Sequence, residues 1–211
     1  MLSIIATQSA QLIENARLRE EGVTFIQIQK EIEMALSIQT NLLPAEKPEL
    51  EGYSIAGKTI PSKIVGGDYF DFISLENNKL AVTLGDVSGK DLPAVLLMAN
   101  LQATIRGLTL LDNSPATCLN QSNKLLYRST DQYKFATLFY GIIDTDTNTF
   151  RYANAGHNRP LFFRKGNKYE TLETAGLVLG VLDDYHFSEN EINLNSGDLL
   201  LIYSDGVIDS L

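Results

Sequence analysis

The hydrophobic period of this chain changes once, between Pro44 and Gly52, and that change limits what each stretch can become. Before it, Leu2, Ile5, Ser9, Leu12 and Ala16 recur at alternating spacings of three and four. Phe25, Ile28, Ile32, Ala35, Gln39 and Leu42 form a second seam of roughly heptad spacing. Such spacing lines up one stripe of a helix, so residues 2–43 are expected to be helical, with Pro44 and Pro48 as the stop. The two seams slip by one residue near Gly22, which predicts a kink or two helices there. A long, narrow stripe packs on the chain's own core or on another helix, and we read it as a surface for pairing, weakest at Ser9, Ala35 and Gln39.

From residue 52 the period becomes that of strands. Tyr53–Ile60, Tyr69–Leu75 and Leu80–Val87 are short and rich in β-branched and aromatic residues, and Asn77-Asn78 reads as a hairpin turn. A helix is expected from Asp91, a suitable N-cap, through about Leu108, and another from Pro115 to about Arg128. Further strands follow at Phe135–Ile143, Phe150–Ala155, Leu161–Arg164, Tyr169–Leu172, His186–Leu194 and Leu199–Tyr203. The tight spacing and turn residues mark a mostly antiparallel meander. Strands, then two helices, then strands make an α+β sandwich rather than a βαβ repeat.

Composition excludes several classes of function. Twenty-six acidic against seventeen basic residues give a net charge of −9, which argues against nucleic acid as a partner. Apolar runs such as Ala94 to Ala99 are far too short to span a membrane. No basic residue precedes Arg17, so no secretory signal is visible. The single cysteine, Cys118, can form neither an internal disulfide nor a thiolate-rich metal site, in keeping with a cytoplasmic protein. Without a base beside it in sequence, it reads as a core thiol rather than a nucleophile.

The acids themselves are not scattered. Asp68 follows Gly66-Gly67 at a strand start. Asp86 ends a strand in phase with Leu80, Val82 and Leu84, and Asp205 ends another in phase with Leu199, Leu201 and Tyr203. A lone Asp beside Gly is ordinarily a turn residue. Three of them continuing apolar strands are costly unless neutralised, and nearby bases are few, with Lys63 and Lys90 the local candidates. Oxygen ligands of this kind suit a hard divalent cation such as Mg²⁺ or Mn²⁺. Two other readings fail on spacing. Gly85 to Lys90 lacks the length and the Ser or Thr of a phosphate-cradling loop. Gly67-Asp68-Tyr69 departs from the GGDEF cyclase signature at Tyr69, in the wrong order of elements.

Six motifs then occur in register: Leu36-x-x-Gln39-x-x-Leu42-Leu43-Pro44, Val65 to Phe72, Gly85 to Lys90, Phe135 to Leu138, Asn154 to Asn158 and Tyr203 to Val207. Together they resemble the SpoIIE/RsbU-like branch of the PP2C-type (PPM) serine/threonine phosphatases over residues 34–211. Residues 1–21 resemble the terminal helix of a GAF sensor domain. The implied organisation is a GAF-like end at 1–21, a helical linker at 22–43 and a phosphatase domain at 44–211. The implied fold is an α-β-β-α sandwich of two antiparallel sheets flanked by helices. The implied activity is metal-dependent hydrolysis of phosphoserine or phosphothreonine on a protein.

Carried over by motif, Asp86 bridges two Mg²⁺ or Mn²⁺ ions that activate water, Asp68 and the Val87 carbonyl complete one side, and Asp205 holds the other ion. Gly67, Asp71, Ser88, His157 and Gly206 take places that support these ligands or meet substrate. The resemblance further implies a phosphorylated signalling protein as partner, of the type of a STAS anti-sigma-factor antagonist, and a homodimer built through the N-terminal helices. Two departures stand out. Asp86-Val87-Ser88 lacks the His that eukaryotic relatives carry just after the bridging residues. The closing strands and a further metal-binding Asp of the family pattern are also missing after Asp205. The second leaves an alternative: a regulatory module that binds a phosphoprotein without cleaving it. Of the remaining residues, His157 reads first as ordering a turn, His186 as a surface residue starting a strand, and Arg159 as a solvated turn residue.

Overall fold

Both N-terminal seams lie on one unbroken helix. The computed structural model describes residues 2–60, 66–89, 91–111, 114–130, 133–165, 168–173 and 176–207. In it, α1 runs Leu2–Leu42, and the kink expected at Gly22 is absent. A helix repeats every 3.6 residues rather than 3.5, so a seam drifts around it, and a one-residue slip needs no break. Gly22 faces open space, where glycine costs a helix only about 1 kcal/mol. The chain divides into two compact units, 1–38 and 39–211, so the last turn of α1 belongs to the second. Along the first unit, Leu12 and Ile13 are each 70% exposed and Phe25 is 61% exposed.

The second unit is the α+β sandwich expected from the meander. Strands β1 (Asp68–Leu75), β2 (Lys79–Val87), β3 (Ala136–Asp144), β4 (Thr149–Ala155) and β7 (Glu189–Asn193) form one antiparallel sheet in the order β1-β2-β3-β4-β7. Strands β5 (Leu161–Arg164), β6 (Lys168–Thr171) and β8 (Leu199–Leu201) form a second, in the order β6-β5-β8. Helices α2 (Asp91–Thr109) and α3 (Pro115–Ser129) follow β2 in the chain. Asn77 and Asn78 turn the β1–β2 hairpin with φ of 57° and 55°, a left-handed conformation that Asn tolerates. Ser114 caps α3 through Thr117 N–H, with Pro115 in the first turn.

Strand alternation gives the larger sheet two different faces. Tyr69, Ala81, Val87, Leu138, Tyr140, Ile142, Ala153 and Ala155 point to a core shared with helix residues such as Met98, Leu101, Ile105, Leu119 and Leu126. Leu80, Val82, Phe139, Ile143, Phe150 and Tyr152 point the other way and pack with Phe162 and Leu200 of the smaller sheet. Cys118 lies in the helix-side core, where burial pushes its thiol up to about 12, so it is inert. No described helix is long and apolar enough to cross a membrane.

Three boundaries differ from expectation. Tyr53–Ile60 is not a strand: Leu50 and Tyr53 form an isolated bridge, Tyr53 and Ile55 still pack on the inter-sheet core, and Ile60 is 77% exposed. Tyr53 and Ile55 find the core, but beyond the Leu50 bridge the main chain of this segment joins no sheet among the described residues. His186 lies outside β7, exposed in the preceding loop. Strand β8 ends at Leu201, and its buried face is Leu200 with Ile202, not Leu199, Leu201 and Tyr203; Leu199 is 60% exposed. Asp205 therefore does not continue a buried strand face but sits in a short 3-10 turn, Asp205–Val207. A run of three leucines carries no alternation, so its buried side was not readable from the run itself.

Candidate metal centre

The site is built on one cross-strand row. Asp68, first residue of β1, stands opposite Asp86 on β2, and Asp86 stands opposite Thr137 on β3. Alternation places Asp86 on the inter-sheet face, in phase with buried Leu80 and Val82. Val87 N–H reaches back to the Gly67 carbonyl at 3.4 Å. Gly67 has no room for a side chain: a Cβ there would lie 2.6 Å from Asp86 Oδ1 and 2.8 Å from the Val87 carbonyl oxygen. Its backbone thus closes against two oxygen donors, which only glycine permits.

Asp205 arrives from the other sheet, on the 3-10 turn that follows β8. Ser204, just before it, donates its hydroxyl to Asp68 Oδ2 at 3.3 Å. Burial raises the Asp86 carboxyl to about 6, with the charges of Asp68 and Asp205 adding to the shift and the Val87 N–H opposing it. Burial likewise raises Asp68, opposed by the Ser204 hydroxyl and helped by Asp205. None of the ion pairs among the described residues involves any of the three. Lys63 and Lys90, the bases expected nearby, lie outside the described residues.

Asp71 is placed differently. It faces the helices, fully buried, where Arg106 of α2 grips it through Nε at 2.7 Å and Nη2 at 3.1 Å. Tyr69 O–H and Phe72 N–H complete its partners at 3.0 Å and 2.9 Å. This carboxylate is already satisfied, so it braces β1 against α2 rather than facing the same space as Asp68. Ser88 ties the end of the Asp86 strand to Phe135: its N–H donates to the Phe135 carbonyl at 2.8 Å and its Oγ accepts from Phe135 N–H at 2.9 Å. Gly206 is exposed in the 3-10 turn with Asp205. Arg159 pairs with Glu173 on the surface at 3.3 Å.

His157 follows β4 on a turn held by Asn154, whose side chain accepts from His157 N–H at 2.7 Å and donates to the His157 carbonyl at 3.0 Å. Its ring reaches Thr137 Oγ1 through Nδ1 at 2.9 Å, and Thr137 is itself 3.4 Å from the Asp86 carbonyl. Burial lowers the ring to about 4, against the opposing influence of the Tyr203 main chain and Asp205, so it is neutral near pH 7.

Two contacts were hidden in motifs whose chemistry the sequence did not spell out. Gln39 donates its Nε2 to the Gly66 carbonyl, which ties the last turn of α1 to the glycine pair ahead of Asp68. A polar residue inside an apolar seam was the signal. Arg106 was legible only as one basic residue in a helix, because its partner lies 35 residues away.

Among the described residues, no three His, Cys, Asp or Glu side chains gather closely enough to hold an ion by side chains alone. The donor set is instead two facing carboxylates, a main-chain carbonyl and a third carboxylate within electrostatic reach. That set fits Mg²⁺ or Mn²⁺, which take one or two protein carboxylates and keep several waters. The fit rests on the Gly67 cradle and on a half-buried Asp86 that has no ion-pair partner among the described residues.

The profile of the SpoIIE family, Stage II sporulation protein E, matches residues 76–211. Phosphoserine phosphatase RsbU of Bacillus subtilis is 32% identical over 184 residues, covering 87% of this chain and 55% of that protein. This chain therefore spans about half the length of that relative. The structure of the RsbU and RsbW domains of a Mycobacterium tuberculosis protein superposes with a TM-score of 0.63 at 28% identity, over 71% of this chain and 42% of that one. The SiaA PP2C domain of Pseudomonas aeruginosa shares the fold, with a TM-score of 0.72 at 20% identity over 87% of this chain and 74% of that one. With a matching family profile over most of the chain, a curated relative above 30% identity and the two-sheet architecture in common, the chain belongs to the SpoIIE family and carries its PP2C phosphatase fold.

Proposed function

We propose that this chain is a metal-dependent protein serine/threonine phosphatase that hydrolyses phosphoserine or phosphothreonine on a small signalling protein in a partner-switching pathway. The observation that carries the reading is Asp86, half-buried opposite Asp68, raised to about 6 and without a cationic partner among the described residues. Such a pair is costly bare and is relieved by divalent charge. Asp68, Asp86 and the Val87 carbonyl hold the cation side, with Asp205 completing it from the other sheet. When bound, two Mg²⁺ or Mn²⁺ ions supply Lewis-acid neutralisation of the phosphoryl oxygens and a water acidic enough for in-line attack on phosphorus. No His follows Asp86-Val87, and the neutral ring of His157 is not an imidazolium acid near pH 7, so the leaving serine oxygen takes its proton from solvent.

The relation to the phosphoserine phosphatase RsbU supports phosphoserine as the group cleaved, and the SpoIIE/RsbU-like resemblance implies a STAS-type anti-sigma-factor antagonist as its carrier, in a cytoplasmic setting. Residues 1–21 then close a GAF-like sensor and residues 22–43 form the linker. The exposed Leu12, Ile13, Phe25 and Ile28 of α1 support a homodimer through this helix. The test is phosphate release from a phosphoserine protein with Mn²⁺ or Mg²⁺. Chelator should abolish it, and Asp86→Asn should lower kcat by on the order of 10²–10³. Release that survives both treatments overturns the reading. Tight binding of the phosphoprotein with no release under either ion would favour the non-cleaving module instead.

A further inference from the structure

A base reaches the end of the Asp86 strand from the far side of the two helices in the chain. Strands β2 and β3 pair as far as Val87 and Ala136. One step further, Ser88 N–H donates to the Phe135 carbonyl and Ser88 Oγ accepts from Phe135 N–H. Gly89 and Lys134 come next, and there Lys134 Nζ stands 3.4 Å from the place a Cβ on Gly89 would take. Gly89 turns with φ of 109°, so the ammonium lies against a residue that has no side chain to cover it.

The main chain beneath Lys134 is fixed from both sides. Ala136 exchanges two hydrogen bonds with Leu179, at 3.1 Å and 2.8 Å. The Lys134 carbonyl packs against Gly180, where a Cβ would meet it at 3.1 Å. With Ser88 on one side and Leu179-Gly180 on the other, residues 134–136 are held in one place. The four-carbon stem of the lysine is the part left to move.

Charge sets this lysine apart. The chain carries 26 acidic against 17 basic residues, yet no ion pair among the described residues includes Lys134. It is half-buried between Tyr133, 86% exposed, and Phe135, 39% exposed. A cation on a fixed backbone, without an acid of its own and with an aromatic on each side, suits an anionic partner chain.

The distance suits a substrate of the neighbouring carboxylate site. Gly89 is two residues beyond Val87, a span of at most about 7 Å, which puts the ammonium within about 12 Å of the Val87 carbonyl. An extended peptide covers that gap in about three to four residues, and the flexible lysine stem shortens it. A phosphoserine brought to Asp68 and Asp86 therefore carries its own oxygens, or those of an acid close to it in sequence, within reach of Nζ.

We propose that Lys134 is a substrate-binding residue: held at the rim of the metal centre by Ser88 and Gly180, it pairs through Nζ with an anionic oxygen of the phosphoserine segment, from the phosphoryl group or from a carboxylate within about three residues of it. This rests on the reading of Asp68, Asp86 and Asp205 as a phosphatase centre.

Two fluorescein-labelled phosphoserine peptides test it, one flanked by Glu and one by Ala, each mixed with the Mn²⁺-loaded protein. Where the wild type cleaves them, KM and kcat are read. Where it does not, fluorescence anisotropy of the same mixtures gives Kd, so failure of the phosphatase reading leaves this test standing. Lys134→Ala should raise KM or Kd for the Glu-flanked peptide about tenfold, with kcat nearly unchanged. Lys134→Arg should recover most of the loss and Lys134→Gln should not; equal loss in those two overturns the role of the charge. The same rise with the Ala-flanked peptide assigns the phosphoryl oxygens, and a rise confined to the Glu-flanked peptide assigns the carboxylates; both uphold the proposal. Lys165→Ala removes the same charge from the turn between β5 and β6 and should shift neither peptide. An equal rise in Lys165→Ala, no rise with either peptide in Lys134→Ala, or a wild type that neither binds nor cleaves them overturns it.

Discussion

Asp68 and Asp71 lie three residues apart on one strand and have opposite fates. Asp71 faces the helices and is fully buried with four hydrogen bonds, two of them from Arg106. Asp68 faces the other sheet and meets a serine hydroxyl, a second carboxylate opposite and a third nearby. One face of β1 supplies the cation with the protein's own guanidinium, and the other leaves the charge to be met from outside. An acid's role here is decided by the side of the sheet it occupies, not by its place in a motif.

The sharpest way to break that contrast is to unpair Asp71. Arg106→Ala should destabilise the fold by about 3 kcal/mol, because it strands a buried carboxylate. In metal-free protein Asp86→Asn should do the reverse and raise the melting temperature, since it removes a repelled charge; calorimetry on both compares the two faces in one measurement. If Arg106→Ala melts like the wild type, Asp71 is not the satisfied partner its geometry indicates.

Gly67→Ala comes next in size. The new Cβ would crowd Asp86 Oδ1 and the main-chain Val87 carbonyl, which must shift, so Mn²⁺ affinity by titration calorimetry should fall by about tenfold and the apo melting temperature should fall with it. Unchanged affinity would place the cation away from this cradle.

The pH dependence is subtler, because two groups pull in opposite directions. The raised carboxyl of Asp86, about 6 when folded, contributes stability at low pH that is lost as pH rises through about 6. The lowered ring of His157, about 4 when folded, contributes stability present above its ordinary value that is lost as pH falls through about 4. Between pH 4 and 6 the two partly cancel. Without divalent ions, Asp86→Asn should therefore lose more stability on acidification across this window than the wild type does, as read by urea midpoints. Parallel curves would mean that Asp86 is not raised.

The smallest effect is expected at the surface. Arg159→Ala breaks an exposed pair with Glu173 and should change stability by less than about 0.5 kcal/mol. A large fall in turnover of the phosphoprotein, with stability intact, would give Arg159 a substrate contact that its present pairing does not suggest.

Much of the fold was legible because its signals are local. The strands around Asp68 and Asp86, both helices, the Asn77-Asn78 turn and the antiparallel order follow from period and turn chemistry. Asp86 was legible for the same reason: alternation with Leu80 and Val82 fixes its face. Asp205 was singled out by its motif and misplaced by period, because three consecutive leucines do not say which side is buried. Gly22 misled in the opposite direction, since an exposed glycine in a drifting seam looks like a break and costs too little to make one.

The sequence by itself determined the elements and the face each residue of β1 and β2 would take, because helix and strand periods are properties of neighbouring residues. Only the tertiary structure decided which charges met. Arg106 reaches Asp71 across 35 positions, Ser204 reaches Asp68 across 136, and Thr137 links His157 to the strand of Asp86. Those encounters depend on how two sheets and a helix layer stack, and on the cost of burying a charge without a partner once they do.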